Sequence, residues 1–266
     1  MIATGWAHLV SASPLRDSTP DASVMRIDEA RHLGRRLPGG LALEDAAGRT
    51  FHLADTRGKP LILLLSYYGC DASCPTMGVE LALVLAKVTR FRLGADYRVL
   101  TVSFDRRDSA RQAGAFLARN AALAGLPAEG WRHAVIKAEG GQDAAELATD
   151  VGFRFFWSDA AGAFLHPNVL IFVTPQGRIA RYIYGTRMDP ATIELALIDA
   201  DWERIANSLA VFDQLTGACF SYNAAEGRYQ LNYALLAGVG SLLLGLLLTG
   251  LGFWIHRRKI MEARHE

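Results

Sequence analysis

Nothing in this sequence is strongly charged in one sense. Its 28 Lys and Arg stand against 27 Asp and Glu, a net charge of +1 over 266 residues. The basic residues are scattered, and no basic patch with interleaved aromatics is present. That excludes the electrostatic footprint of a nucleic-acid-binding protein. Cysteine is scarce as well: three residues are too few for a disulfide scaffold. No internal repeat is visible, which removes solenoids and propellers. Uninterrupted apolar runs of membrane-spanning length are missing too, with one exception near the C-terminus. What remains is a chain that is 51% apolar. It is long enough for one sizeable domain with extras and too short for two large ones.

The exception is LLAGVGSLLLGLLLTGLGFWI, Leu235 to Ile255, which carries no charge. At about 1.5 Å of rise per residue, a helix of this length crosses a hydrocarbon core of roughly 30 Å. A buried core helix rarely stays apolar on every face for so long. His256, Arg257, Arg258 and Lys259 follow at once, whereas Glu226 and Arg228 cancel before it. The positive-inside rule then puts the C-terminus in the cytoplasm and everything before the span outside. Tyr229, Tyr233 and Trp254 suit the two interfaces. An exported domain calls for a signal peptide. The start, MIATGWAHLVSASPLRD, has no basic n-region and a short apolar run. It reads as the tail of a signal whose start lies upstream, or as a degenerate signal.

Residues 1–40 read as a flexible polar lead-in. From Leu41, LALED and TFHLAD read as two short strands around a turn containing Gly48. LILLLSYY (61–68) is a continuous apolar run, the pattern of a central strand buried on both faces. Pro75 is expected to open a helix, and the spacing of Met77, Leu81, Val84, Val88 and Phe91 carries it to about Arg92. YRVLTVSFD (97–105) is the next strand, and Asp108 caps a helix to about Asn120. RHAVIKA (132–138) is a strand, with a short helix from Asp143 to about Asp150. NVLIFVT, PQGR and IARYIYG (168–185) read as strand, turn and strand. Asp189-Pro190 opens a helix to about Asn207. Strands alternating with helices predict an α/β domain with a mostly parallel central sheet. The order fits a thioredoxin-like domain with an N-terminal β-hairpin, followed by a single C-terminal transmembrane helix. The expected limits are 41–207 for that domain, 208–233 for a juxtamembrane segment, 234–256 for the span and 257–266 for a cytoplasmic tail.

Two of the cysteines lie together in SYYGCDASCPTM, with three residues between Cys70 and Cys74. Cys74 falls at the N-cap or first turn of the helix, where free N–H groups and the helix dipole favour a thiolate. Cys70 lies on the loop leading in. A structural disulfide accounts for the pairing but not for its place at an activating helix start. A redox dithiol fits an exported domain. A soft-metal site fits two thiolates, Cu(I) above all, and needs at least one more ligand. His166, in AFLHPNVLIFV, is the best third ligand. It precedes a predicted central strand, and in a thioredoxin-like sheet the loop entering that strand faces the cysteine loop. Pro167 then takes the position where that fold often keeps a cis-proline. Met77 is assigned to the core, His133 to a strand edge or the core, and Cys219 to no partner. Asp105 ends a strand on the site's expected edge.

On these residues the chain resembles the Sco/SenC family of copper chaperones for cytochrome oxidase assembly. The matching stretches are GKPLILLLSYYGCDASCP, VLTVSFDRRDSARQAGAFL and FLHPNVLIFVTPQGRIARYIYG, within about Leu41 to Ala200. The resemblance implies a membrane-anchored thioredoxin-like fold facing the oxidising side. It implies copper, as Cu(I) or Cu(II), on Cys70, Cys74 and His166. It also implies a partner, cytochrome c oxidase subunit II or another copper protein, to which copper is delivered or whose cysteines are reduced. Two features depart from the family. Leu165 stands where many members carry Asp before the histidine, and the anchor is C-terminal where many members are anchored at the N-terminus.

The function expected is therefore that of a copper metallochaperone. It sits in a bacterial inner membrane as a single-pass protein, its domain in the periplasm and its C-terminus cytoplasmic. Cys70 and Cys74 double as a redox pair. The alternative is a copper-independent thiol–disulfide oxidoreductase. A thiol peroxidase ranks last, because Thr76 and the distant arginines do not form a peroxide site.

Overall fold

The computed structural model describes residues 25–69, 73–121, 130–137, 144–159, 161–185, 188–206, 220–223, 228–231 and 233–262. Short helix α1 (Glu29–His32) precedes the hairpin β1 (Ala42–Asp45) and β2 (Thr50–His52). The buried run forms β3 (Leu61–Ser66), with all six residues buried. Next come α2 (Ser73–Leu85), β4 (Arg98–Ser103), α3 (Ala110–Ala121), β5 (Trp131–Ile136) and α4 (Ala144–Asp150). A second small hairpin, β6 (Phe156–Ser158) and β7 (Ala163–Leu165), leads into β8 (Val169–Val173) and β9 (Ile179–Tyr184). Helix α5 (Pro190–Asp201) ends this series. Hairpin β10 (Phe220–Asn223) and β11 (Arg228–Leu231) and the long helix α6 (Tyr233–Glu262) follow.

The central sheet has the order β2-β1-β5-β4-β3-β8-β9. Its inner strands β3, β4 and β5 are parallel, as expected of strands joined by helices. The rest is antiparallel: β1 on β5, and β8 on both β3 and β9. The sheet is therefore mixed rather than mostly parallel. The β6–β7 hairpin returns the chain to the edge where β3 and β4 end, so β8 must start there and run back. That reversal puts His166, just ahead of β8, beside the exit of β3.

Alternation along the strands builds two cores. Leu61, Leu63 and Leu65 face one layer with Leu100, Val102, Ile171, Leu147 and Phe153. Ile62 and Leu64 face the other, against Met77 and Leu81 of α2 and Ile193 and Leu197 of α5. Ile27 and Leu37 are buried in the first core, so the folded part starts ahead of Leu41.

Local chemistry explains several element ends. Helix α2 starts two residues before Pro75, because a first-turn proline lacks only an N–H that the helix does not use there. It stops at Leu85 rather than near Arg92. The Glu194 carboxylate of α5 takes the N–H of Thr89 at 2.8 Å and turns the chain, while Val88 and Phe91 still pack into the core. Asp189 caps α5 by accepting the Thr192 N–H at 3.0 Å, and that helix ends at Asp201 rather than near Asn207. The cap of α3 belongs to Ser109, not Asp108. Gln112 Oε1 accepts the Ser109 N–H at 2.9 Å, the reciprocal half of a capping box. Asp143 lies outside the described residues. Gly152, at φ +70°, closes α4, and the Phe153 N–H reaches back to the Ala148 carbonyl at 2.7 Å.

Helix α6 contains one stretch, Ala237–Trp254, long and apolar enough to cross a membrane. Leu242, Leu244, Leu247 and Phe253 are exposed on it, so no protein core covers these side chains. The Ser241 hydroxyl donates to the Ala237 carbonyl at 2.8 Å, so its polar group is satisfied within the helix.

His133 is a core histidine. It is 2% exposed, stacks on Trp131 at 5.3 Å, and among the described residues neither ring nitrogen has a hydrogen-bond partner. Burial pushes its pKa down to about 4. The unfolded chain takes up a proton near pH 6.5 while the folded chain refuses it. Stability is therefore lost as the pH falls from about 6.5 towards 4. We expect His133→Leu to remove about 2–3 kcal/mol of the stability difference between pH 7.5 and 4.5, read by urea unfolding at each pH. An unchanged pH dependence would assign the effect to other groups.

Candidate metal and dithiol site

The site is built at the edge of the sheet where β3 and β4 end. Strand β3 delivers Tyr67, Tyr68 and Gly69 to the cysteine loop. Cys70 and Cys219 lie outside the described residues. Cys74 is the second residue of α2, in the first turn as expected, and is described by its backbone only. Free N–H groups of that turn and the helix dipole favour a thiolate there. Among the described residues, no group of three His, Cys, Asp or Glu side chains forms a metal cluster.

His166 stands between β7 and β8 and is 7% exposed. Its ring lies edge-on to Tyr67 at 6.1 Å and to Phe104 at 5.3 Å, and tilted on Phe153 at 5.7 Å. The Tyr67 contact puts His166 beside the segment that runs directly into Cys70. Nδ1 is 3.0 Å from the carbonyl oxygen of Pro167. A carbonyl only accepts, so Nδ1 carries the proton and Nε2 the lone pair. Burial pushes the His166 pKa down, partly opposed by that hydrogen bond, and the net shift favours the neutral imidazole. A neutral imidazole with its lone pair on Nε2 is the form that binds a soft metal. Among the described residues no peptide bond is cis, so Pro167 follows a trans bond, contrary to expectation.

The β4–α3 turn holds the segment that enters the cysteine loop. Asp108 Oδ2 accepts the Tyr68 N–H at 2.6 Å and the Ser103 hydroxyl at 2.6 Å. Asp108 therefore pins the start of the cysteine loop instead of capping a helix. Asp105 receives Arg107 as a fork, with Nη2 2.7 Å from Oδ2 and Nε 3.0 Å from Oδ1. Burial raises the Asp105 carboxyl, but the Arg107 side chain, backbone N–H and charge hold it below its usual value. Met77 is buried in the core, as the apolar stripe assigns it. The aromatic shell and the Asp108 tie were not read from the sequence. The run FRFFW, residues 153–157, was the signal available for the shell.

No protein-family model matches the chain, and no curated protein matches it. Solved structures do. A proposed electron transfer protein from Aquifex aeolicus VF5 is 30% identical with a TM-score of 0.57, over 64% of this chain and 95% of that one. A proposed electron transport protein from the same organism is 30% identical with a TM-score of 0.55, over 64% of this chain and 99% of that one. A SCO1/SenC family lipoprotein from Bacillus anthracis shares the fold at 16% identity and a TM-score of 0.51, over 65% and 97% of the two chains. By identity and near-complete coverage the chain belongs to the family of the two Aquifex aeolicus proteins, and its fold is the thioredoxin-like fold of the Sco/SenC family.

Proposed function

We propose that this chain is a membrane-anchored Cu(I) chaperone with a redox-active cysteine pair. The observation that carries the reading is His166: a buried imidazole whose Nδ1 bonds the Pro167 carbonyl, lying against the segment that enters the cysteine loop. Cys70 and Cys74 supply two thiolates and His166 Nε2 the third donor. A three-coordinate Cu(I) leaves room for an incoming ligand, so the metal passes to a partner by ligand exchange. Oxidation of the two thiolates to a disulfide, with two electrons passed to an external acceptor, releases the metal. The fold relative from Bacillus anthracis is named as a Sco-family lipoprotein, which supports this reading. The partner in it is cytochrome c oxidase subunit II or another copper protein.

In the same reading the folded domain, which starts ahead of Leu41 and runs to about residue 207, faces the periplasm of a bacterial inner membrane. The juxtamembrane segment is 208–233, the span 234–256 and the cytoplasmic tail 257–266. Arg257, Arg258 and Lys259 hold that tail inside.

A second reading is a thiol–disulfide oxidoreductase that never carries copper. It is favoured by the names of the Aquifex aeolicus relatives, which point to electron transfer. The full chain in detergent, reduced without oxygen, separates the two when titrated with Cu(I) against a competing chelator. One tightly held copper per reduced chain, and none after oxidation of the pair, is the expected result. Dithiol redox chemistry without competitive copper binding would leave the oxidoreductase reading.

A further inference from the structure

Arg107 is exposed, yet its guanidinium is held on several sides. Asp105, whose side chain is 9% exposed, takes it as a fork. Two aromatic rings also lie beside it. The guanidinium carbon lies 5.8 Å from the ring centres of both Trp157 on β6 and Phe164 on β7. Those two rings meet edge-on at 5.2 Å across the hairpin. Phe164 packs in turn on Tyr67 at 5.2 Å and on Phe104 at 5.6 Å, two of the rings around His166. One residue, Leu165, separates Phe164 from His166.

We infer that Arg107 is a positioning residue that latches the β6–β7 hairpin to the β4–α3 turn and so holds His166 in place beside the cysteine loop. The physical argument is one of leverage. The β6–β7 pair is a separate two-stranded sheet of three-residue strands, and a hairpin of that size has little stability of its own. A forked ion pair to a mostly buried carboxylate fixes the guanidinium plane. The plane then offers its charge to the two rings, a contact that favours arginine over lysine. The latch works on the histidine side of the site, while Asp108 holds the thiol side. The sequence turn SFDRRD thus sets both halves from one rigid corner.

The inference rests on His166 being the third copper donor, so the test carries a readout that does not need copper. Arg107→Ala and Arg107→Lys are made in the full chain, alone and with His166→Ala. Labelling of His166 by diethyl pyrocarbonate is followed site by site by mass spectrometry, beside the Cu(I) competition titration. With Arg107→Ala we expect labelling of His166 to rise severalfold and Cu(I) affinity to fall about 3- to 10-fold, with Arg107→Lys between it and wild type. The Arg107→Ala loss should vanish in the His166→Ala background, because a residue acting through His166 has nothing left to act on. Unchanged labelling, or an equal loss of affinity in both backgrounds, overturns the latch. Should the wild-type chain hold no copper, the chaperone reading fails and labelling alone decides the latch: a rise supports it, no change overturns it.

Discussion

Cys74→Ser should weaken Cu(I) retention by about a thousandfold or more, and His166→Ala by about 10- to 100-fold. A thousandfold corresponds to about 4 kcal/mol, a reasonable loss for a soft thiolate replaced by a hydroxyl that Cu(I) binds poorly. The imidazole contributes less because two thiolates alone still hold Cu(I) in linear coordination. The two variants also separate the chemistries. Cys74→Ser removes the disulfide, whereas His166→Ala keeps Cys70 and Cys74 as a competent redox pair. Chelator competition reads the first difference, and thiol titration after mild oxidation reads the second. Copper held equally well by Cys74→Ser would place the metal elsewhere in the molecule. Full biological activity of His166→Ala would favour the copper-free oxidoreductase.

Asp108→Ala should cost about 2–4 kcal/mol of stability, the second large effect. Two donors lose their acceptor together, the Tyr68 N–H and the Ser103 hydroxyl, both from buried residues. Each orphaned buried donor costs about 1–3 kcal/mol. Asp108→Asn keeps an oxygen in the same place and should recover most of the loss. The pair of variants, compared by urea unfolding, isolates the hydrogen bonds from the volume change. Because Tyr68 lies two residues before Cys70, the alanine variant should also raise amide exchange at Tyr68 and Gly69. An Asp108→Ala chain as stable as wild type would mean that water or another group replaces both bonds.

The resemblance carried by three stretches of sequence and the fold agree because both rest on local chemistry. The run LILLLS could only be buried on both faces, and it is. Asp189-Pro190 carries its own capping oxygen and its own preset φ, so α5 starts where the sequence places it. The C-terminal run is apolar on every side, and α6 presents those side chains without a protein core over them. Cys74 at a helix start and His166 at a strand start are likewise consequences of residues within a few positions of each other.

Features that depend on distant partners were not legible. The direction of β8 is decided by where the β6–β7 hairpin returns the chain, and strands of three residues leave almost no periodic signal. The end of α2 depends on Glu194, more than a hundred positions away. Asp108 looked like a helix cap because Asp before a helical pattern usually is one. Only the approach of β3 to the β4–α3 turn turned its carboxylate towards Tyr68. The sequence by itself determined the main strands and helices of the domain, the membrane-spanning candidate and the residue types of the candidate site, since these follow from local propensity, apolar patterning and intrinsic chemistry. The tertiary structure alone decided which rings enclose His166, which tautomer it holds and which turn ties both halves together. Those are contacts between segments far apart in the chain, and they exist only once the sheet has brought its strand ends to one edge.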